Sequence, residues 1–235
     1  MRLDEAIVKK NLIDSRNKAK DLIKKGKVRV NGKIVNKPSF KVNENDNIEI
    51  FGKVYVSRAA YKLKNYLDKY KIDFKGKKVL DIGSSTGGFS EVCLEKGAKV
   101  VGVDVGKNQL HKTLRGKMEI FEETDIRDFK YPEKFDVIVS DVSFISLLKI
   151  LDKIDELIEK GDIILLFKPQ FEVGIEARRN KKGVVIDEEA IKKARDNFEK
   201  EALKKWKLIR SEESSIKGKE GNIEYIYHFL KEKNE

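Results

Sequence analysis

The sequence predicts an α/β protein: a doubly wound, mainly parallel sheet that ends in an antiparallel hairpin, with a small α+β module in front. Three observations lead there. From Ser57 onward, short apolar runs alternate with helical patterns, as in successive strand–helix–strand units. The stretch KVLDIGSSTGGFS, Lys78 to Ser90, joins a strand to a helix through a glycine-rich turn, the place where such sheets hold a cofactor. The net charge of +11 is also uneven, because residues 1–56 hold 14 Lys+Arg against 7 Asp+Glu.

In chain order, Leu3, Ile7 and Val8 suggest a short helix. Ser15 caps a second, which runs through Ala19, Leu22 and Ile23 to Gly26. VRVNGKIV, Val28 to Val35, carries Asn31-Gly32, a strong hairpin signal. A strand over Asn47–Phe51 completes a module of residues 1–50, followed by a linker, 51–56. Arg16, Lys18, Lys20, Lys24, Lys25, Lys27 and Arg29 cluster on the second helix and the hairpin. The excess of positive charge points to a polyanion, nucleic acid above all; a merely well-solvated basic surface is the alternative. The strings RLDEAIV, SRNKAKDLIKKGKVRVNG and KPSFKV resemble the small RNA-binding domain named after ribosomal small-subunit protein four.

The second domain, 57–235, opens with a helix over Ala59–Tyr70, with Ala60, Leu63 and Leu67 on one face. Strands are expected at Lys77–Ile82, Lys99–Val105, Met118–Glu122, Phe135–Ser140 and Asp162–Phe167. Helices are expected at Phe89–Lys96, Asn108–Leu114, Ser146–Glu159 and Glu188–Lys205. LIRSEESS and NIEYIYHFL have no helix between them and form the closing hairpin.

Composition excludes several classes. No apolar run approaches the ~18 residues of a membrane span, and MRLDEAIVKK lacks the apolar core of a signal peptide. A single cysteine, Cys93, allows no internal disulfide, and two histidines leave no metal cluster. A reducing cytoplasm is the expected compartment. Oligomeric state is not readable.

Asp81 closes the strand before the turn Gly83, Ser84, Ser85, Thr86, Gly87, Gly88 and Phe89. A loop built for pyrophosphate offers backbone N–H groups and no carboxylate. An acid there suits a cationic cofactor such as S-adenosylmethionine. Asp104, 23 positions later and next to Val105, stands where a ribose hydroxyl pair is bound; a dehydrogenase would use the same acid. Asp125 is placed to accept from an adenine amino group, or simply to cap a helix. Asp141 and Lys168 close the fourth and fifth strands. A lysine ending an apolar strand just before Pro169 is costly to place, which suggests a role beyond snorkelling to solvent.

SRAAYKL, DIGSSTGGFS, VGVDVGKNQL, DVSFISL, FKPQFE and GNIEY run in order along the chain. With the N-terminal module they resemble the TlyA family of rRNA 2′-O-methyltransferases, whose catalytic domain is similar to FtsJ. The resemblance implies a tetrad of Lys62, Asp141, Lys168 and Glu224, of which spacing alone would single out Asp141 and Lys168. It implies methyl transfer from S-adenosylmethionine to a ribose 2′-hydroxyl, of a cytidine in rRNA or a ribosomal subunit. Lys168 would act as base, helped by Lys62 nearby. The short C-terminus favours the large-subunit rRNA. Arg58, and Arg178 and Arg179 in the basic loop EARRNKKG, are further expected RNA contacts. The family's haemolysin name raises a membrane-active protein as an alternative, which the absence of a span or basic amphipathic stripe disfavours. A non-catalytic ribosome-assembly factor is a third reading.

Overall fold

The computed structural model describes residues 1–233 and divides into two compact units, Met1–Val54 and Tyr55–Glu235. In the first, α1 (Leu3–Lys9) and α2 (Arg16–Lys24) pack on a three-stranded sheet. Its strands are β1 (Val28–Val30), β2 (Lys33–Ile34) and β3 (Ile48–Ile50), in the order β2-β1-β3. Ser15 Oγ caps α2 by accepting from Lys18 N at 3.3 Å. Asn31 and Gly32 both take positive φ, 49° and 78°, the paired left-handed turn that a two-residue hairpin needs. Leu3, Ile7, Ala19, Leu22, Ile23 and Val28 form the core. The stretch expected as a linker is divided: Phe51 N donates to Lys27 O and Val54 packs on the first core, while Tyr55 and Val56 are buried in the second unit.

The second unit is built on seven strands among the described residues, ordered β6-β5-β4-β7-β8-β10-β9. They are β4 (Lys78–Ile82), β5 (Lys99–Val103), β6 (Glu119–Phe121), β7 (Phe135–Ser140), β8 (Ile158–Phe167), β9 (Lys207–Glu213) and β10 (Tyr225–Lys231). The first five are parallel, and β10 inserts antiparallel between β8 and β9.

Strand residues alternate between two cores, as the two-residue period requires. Ile163, Leu165 and Phe167 face one side, with α5 (Leu151–Leu157) and α7 (Glu188–Ala202). Ile164, Leu166 and Ile226 face the other, with α3 (Ala59–Lys69) and α4 (Gly88–Glu95).

Two expected helices differ. Asn108–Leu114 is a run of turns; Asn108 takes φ 55°, and one apolar pair, Leu110 and Leu114, is too little to nucleate so short a helix. The pair packs on Val56 instead. Ser146–Glu159 breaks into a 3₁₀ turn (Leu147–Lys149) and α5, and Ile158 already pairs with Phe135 at the start of β8. A further one-turn helix, α6 (Pro169–Glu172), follows β8 directly.

Candidate active site

The strand order reverses at β4, which has β5 on one side and β7 on the other. Ligands bind at the carboxyl ends of strands at such a point, and a cleft of about 560 Å³ opens there. It is lined by Gly83 and Ser85 after β4, Asp104 and Val105 after β5, Asp125 and Arg127 after β6, and Asp141 and Phe144 after β7. A smaller pocket of about 170 Å³ shares Gly83, Ser85, Asp141 and Ser143 with it and adds Ser84, Thr86, Gly88, Phe89 and Lys168.

The glycines of the turn are sterically required. A Cβ on Gly88 would stand 2.1 Å from Ser57 Oγ and 3.0 Å from Ala60 N, and one on Gly87 would stand 2.3 Å from Leu114 Cδ1. Gly87 also takes φ 95°, a conformation that side chains resist. Asp104 organises the rim: its two oxygens accept from Gly106 N at 2.7 Å and Ser85 N at 2.8 Å. Lone pairs remain for hydroxyl donors. Asp125 is held by Arg127, whose Nη2 lies 2.5 Å from Oδ2, and this partner keeps the carboxyl below its usual range.

Asp81 differs from expectation. It does not line the cleft; it is fully buried beneath the turn, where Oδ2 accepts from Ser90 Oγ at 2.6 Å. The other oxygen, Oδ1, has no hydrogen-bond partner. Burial, with Asp141 and Asp104 adding to it, pushes this carboxyl up to about 7.

The four tetrad positions form two buried ion pairs. Lys168 Nζ lies 2.6 Å from Asp141 Oδ1 and donates to Ser143 Oγ at 2.9 Å. Lys62 Nζ donates to Glu224 Oε2 at 2.6 Å, and Gln170 Nε2 donates to Glu224 Oε1 at 3.2 Å. Lys62, Lys168 and Glu224 are each less than a tenth exposed. Each lysine thus faces its own carboxylate. The antiparallel β10 explains Glu224: Tyr225 pairs with Phe167, so the start of β10 lies beside the end of β8 and brings its acid to the same edge of the sheet as Lys168.

The expected RNA contacts sort differently. Lys24, Lys25 and Arg29 are exposed, and Lys18 and Lys20 half-buried. Arg16 is tied inside its own module, with Nε 3.0 Å from the buried Asp4 and Nη2 2.8 Å from Glu5. Lys27 Nζ donates to Lys53 O, and Lys25 and Lys18 pair one helical turn back with Asp21 and Asp14. Arg58 donates to Lys217 O at 2.6 Å, and Arg179 to Gly174 O and Ala177 O, while Arg178 remains exposed near Asp187. The cleft lining also includes residues that the sequence reading does not single out, among them Arg127, Ser143, Phe144 and Lys149. Phe144 is 89% exposed at φ 64°, a strained state for a bulky side chain. Its place three positions after Asp141 was the available signal.

Residues 55–231 match the FtsJ-like methyltransferase family and residues 1–48 the S4 domain. A Campylobacter jejuni protein named 23S rRNA (cytidine-2′-O)-methyltransferase TlyA is 49% identical, over 98% of this chain and 100% of its own. The chain belongs to the TlyA family. Its Mycobacterium tuberculosis relative, named 16S/23S rRNA (cytidine-2′-O)-methyltransferase TlyA, is 36% identical over 96% of this chain and 88% of its own. A solved Streptococcus thermophilus structure described as a hemolysin superposes with a TM-score of 0.73 at 32% identity, covering 98% of this chain and 88% of that one. Among the described residues of this TlyA family member, no helix is long and apolar enough to cross a membrane.

Proposed function

We propose that this cytoplasmic enzyme methylates the ribose 2′-hydroxyl of a cytidine in rRNA, with S-adenosylmethionine as donor and the large-subunit rRNA as the favoured target. The observation that carries the reading is the Lys168–Asp141 ion pair in a pocket that adjoins a nucleoside-sized cleft, with the buried Lys62–Glu224 pair at the start of the strand beside β8. The 49% identical relative, matched over its whole length, is named for 23S rRNA. That supports the choice of subunit.

The residues present fit the donor. Asp81 keeps one carboxyl oxygen unpartnered beneath the turn, an anionic site that a nearby cation would stabilise. Asp104 would hold the ribose hydroxyls, Asp125 the adenine amino group, and Gly83, Gly87 and Gly88 let the backbone close on the ligand. When bound, S-adenosylmethionine supplies the methyl group as an activated sulfonium.

What the chain itself contributes is alignment and proton removal. Lys168, in its neutral form, takes the proton of the 2′-hydroxyl; as an ammonium it steadies the charge that develops on that oxygen. Asp141 fixes its position at 2.6 Å. Lys62 and Glu224 support the acceptor site from beside the end of β8, where Gln170 also meets Glu224. Exposed Phe144 offers a face on which an unstacked base can lie, and Lys24, Arg29, Arg58 and Arg178 supply phosphate contacts.

The test is transfer of labelled methyl from S-adenosylmethionine to purified ribosomal subunits and to free rRNA, with ribose-methylation mapping of the product. Incorporation into a base, or none into either rRNA, would overturn the reading. Leakage of liposomes at low protein concentration would favour the membrane-active alternative.

A further inference from the structure

We propose that Glu172 is a positioning residue that holds the loop after β7, bearing Asp141, Ser143 and Phe144, in register with Lys168. The proposal rests on the methyl-transfer reading above. Glu172 ends α6, four positions after Lys168, and the loop is bound to α6 by contacts that follow one another in order. Lys168 Nζ donates to Ser143 Oγ at 2.9 Å. The rings of Phe171 and Phe144 stand 4.9 Å apart. Glu172 Oε1 accepts from Leu147 N at 2.8 Å, and Oε2 accepts from Ser146 Oγ at 2.6 Å.

The Glu172 contact anchors the series. Lys168 and Phe171 meet residues that the reaction also uses, whereas Glu172 meets only the backbone and hydroxyl at the base of the loop. Ser146 Oγ accepts in turn from Leu148 N at 3.2 Å, so the same carboxylate fixes the 3₁₀ turn that presents Lys149 to the cleft. No lysine or arginine pairs with Glu172 among the described residues, and burial raises its carboxyl above the usual range. A half-buried acid without a cation is costly to hold in place. An apolar side chain would fill the space but leave Leu147 N and the Ser146 hydroxyl without acceptors. The loop also carries strain at its exposed end, where Phe144 sits at φ 64°. Such a conformation persists only when its surroundings impose it.

The experiment compares Glu172→Gln, Glu172→Ala and Glu172→Asp in the full chain. Glutamine keeps an acceptor for Leu147 N, and the Ser146 hydroxyl can turn to accept from its amide; this variant should retain at least a third of the wild-type kcat on rRNA. Alanine, and aspartate with its carboxylate drawn back by one methylene, should each lose at least 30-fold in kcat, with donor affinity by calorimetry within threefold of wild type. Amide exchange at Leu147, which requires no turnover, should accelerate at least tenfold in both and stay slow with glutamine. If wild type itself transfers no methyl group, the functional reading fails while the exchange measurement still judges the clamp. Unchanged exchange in the aspartate variant, activity above a third of wild type in the aspartate variant, or glutamine as inactive as aspartate would each overturn the proposal. Should the alanine variant not fold, the aspartate and glutamine variants decide alone.

Discussion

Lys62 and Glu224 are 162 positions apart in the chain, and their charged atoms meet at 2.6 Å in a site closed to solvent. The contact joins α3 to the start of β10. One turn further along the helix, Tyr66 repeats it four residues further along the strand by meeting His228 Nδ1 at 2.9 Å. Removing either charged partner strands the other in a buried position, which costs about 3–5 kcal/mol. Lys62→Met and Glu224→Gln should each destabilise the fold by that order. The double variant should cost less than the sum by at least 1 kcal/mol, as read from urea titrations of all four proteins. Additive losses would mean that the pair is not coupled.

Lys168 separates two chemical roles. A base must be able to lose its proton, and an arginine in its place cannot. Lys168→Arg should therefore be as inactive as Lys168→Ala, with kcat at least 100-fold below wild type at saturating RNA. Donor affinity should change by less than threefold in both. If arginine restores a tenth of the activity or more, the side chain acts by its charge alone.

Asp81 predicts a pH dependence with a definite sign. Its folded carboxyl is raised to about 7 from an ordinary value of 3.8. Between these values the folded state holds a proton that the unfolded chain has released, so its contribution to stability is lost as pH rises. Without donor, the Tm of wild type should fall relative to Asp81→Asn between about pH 4 and pH 7, then run parallel. A cationic donor favours the carboxylate. Its binding near pH 7 should release protons from wild type, seen as a buffer-dependent calorimetric enthalpy, and fewer from Asp81→Asn.

Gly88 tests the turn by shape alone, because its φ is not in the left-handed region. Its missing side chain leaves room for Ser57 and for the backbone of Ala60. Gly88→Ala should push α4 away from α3 and weaken donor binding at least tenfold by calorimetry. Gly116→Ala, where no atom stands within 4 Å of the added carbon but φ is 80°, should affect stability and leave donor affinity within twofold.

The legible parts of this site share a cause. Asp104, Asp141 and Lys168 each follow a parallel strand, and an apolar run ending in a charged residue marks the carboxyl edge directly. Glu224 stands before its strand, so the same reading puts it at the wrong end unless the strand's direction is known. Lys62 lies on a helix whose apolar spacing picks out Ala60, Leu63 and Leu67, and nothing local says that a lysine between them is buried. Asp81 was located correctly at a strand end, but its exposure depends on how α4 folds back over it, and Ser90 is nine residues away. Glu172 escaped notice for a related reason: its partners, Ser146 and Leu147, belong to a segment whose spacing suggested one continuous helix.

The placement of β10 also bears on the order in which the enzyme becomes competent. Five strands and the lysine and aspartate they carry leave the ribosome before Glu224 does, yet β8 stays an open edge until β10 pairs with it. Pairings between such distant segments are slow to form. A growing chain can therefore fold most of its cleft early and still lack the carboxylate that Lys62 needs, so that competence arrives late, in one step, with the insertion of a single strand.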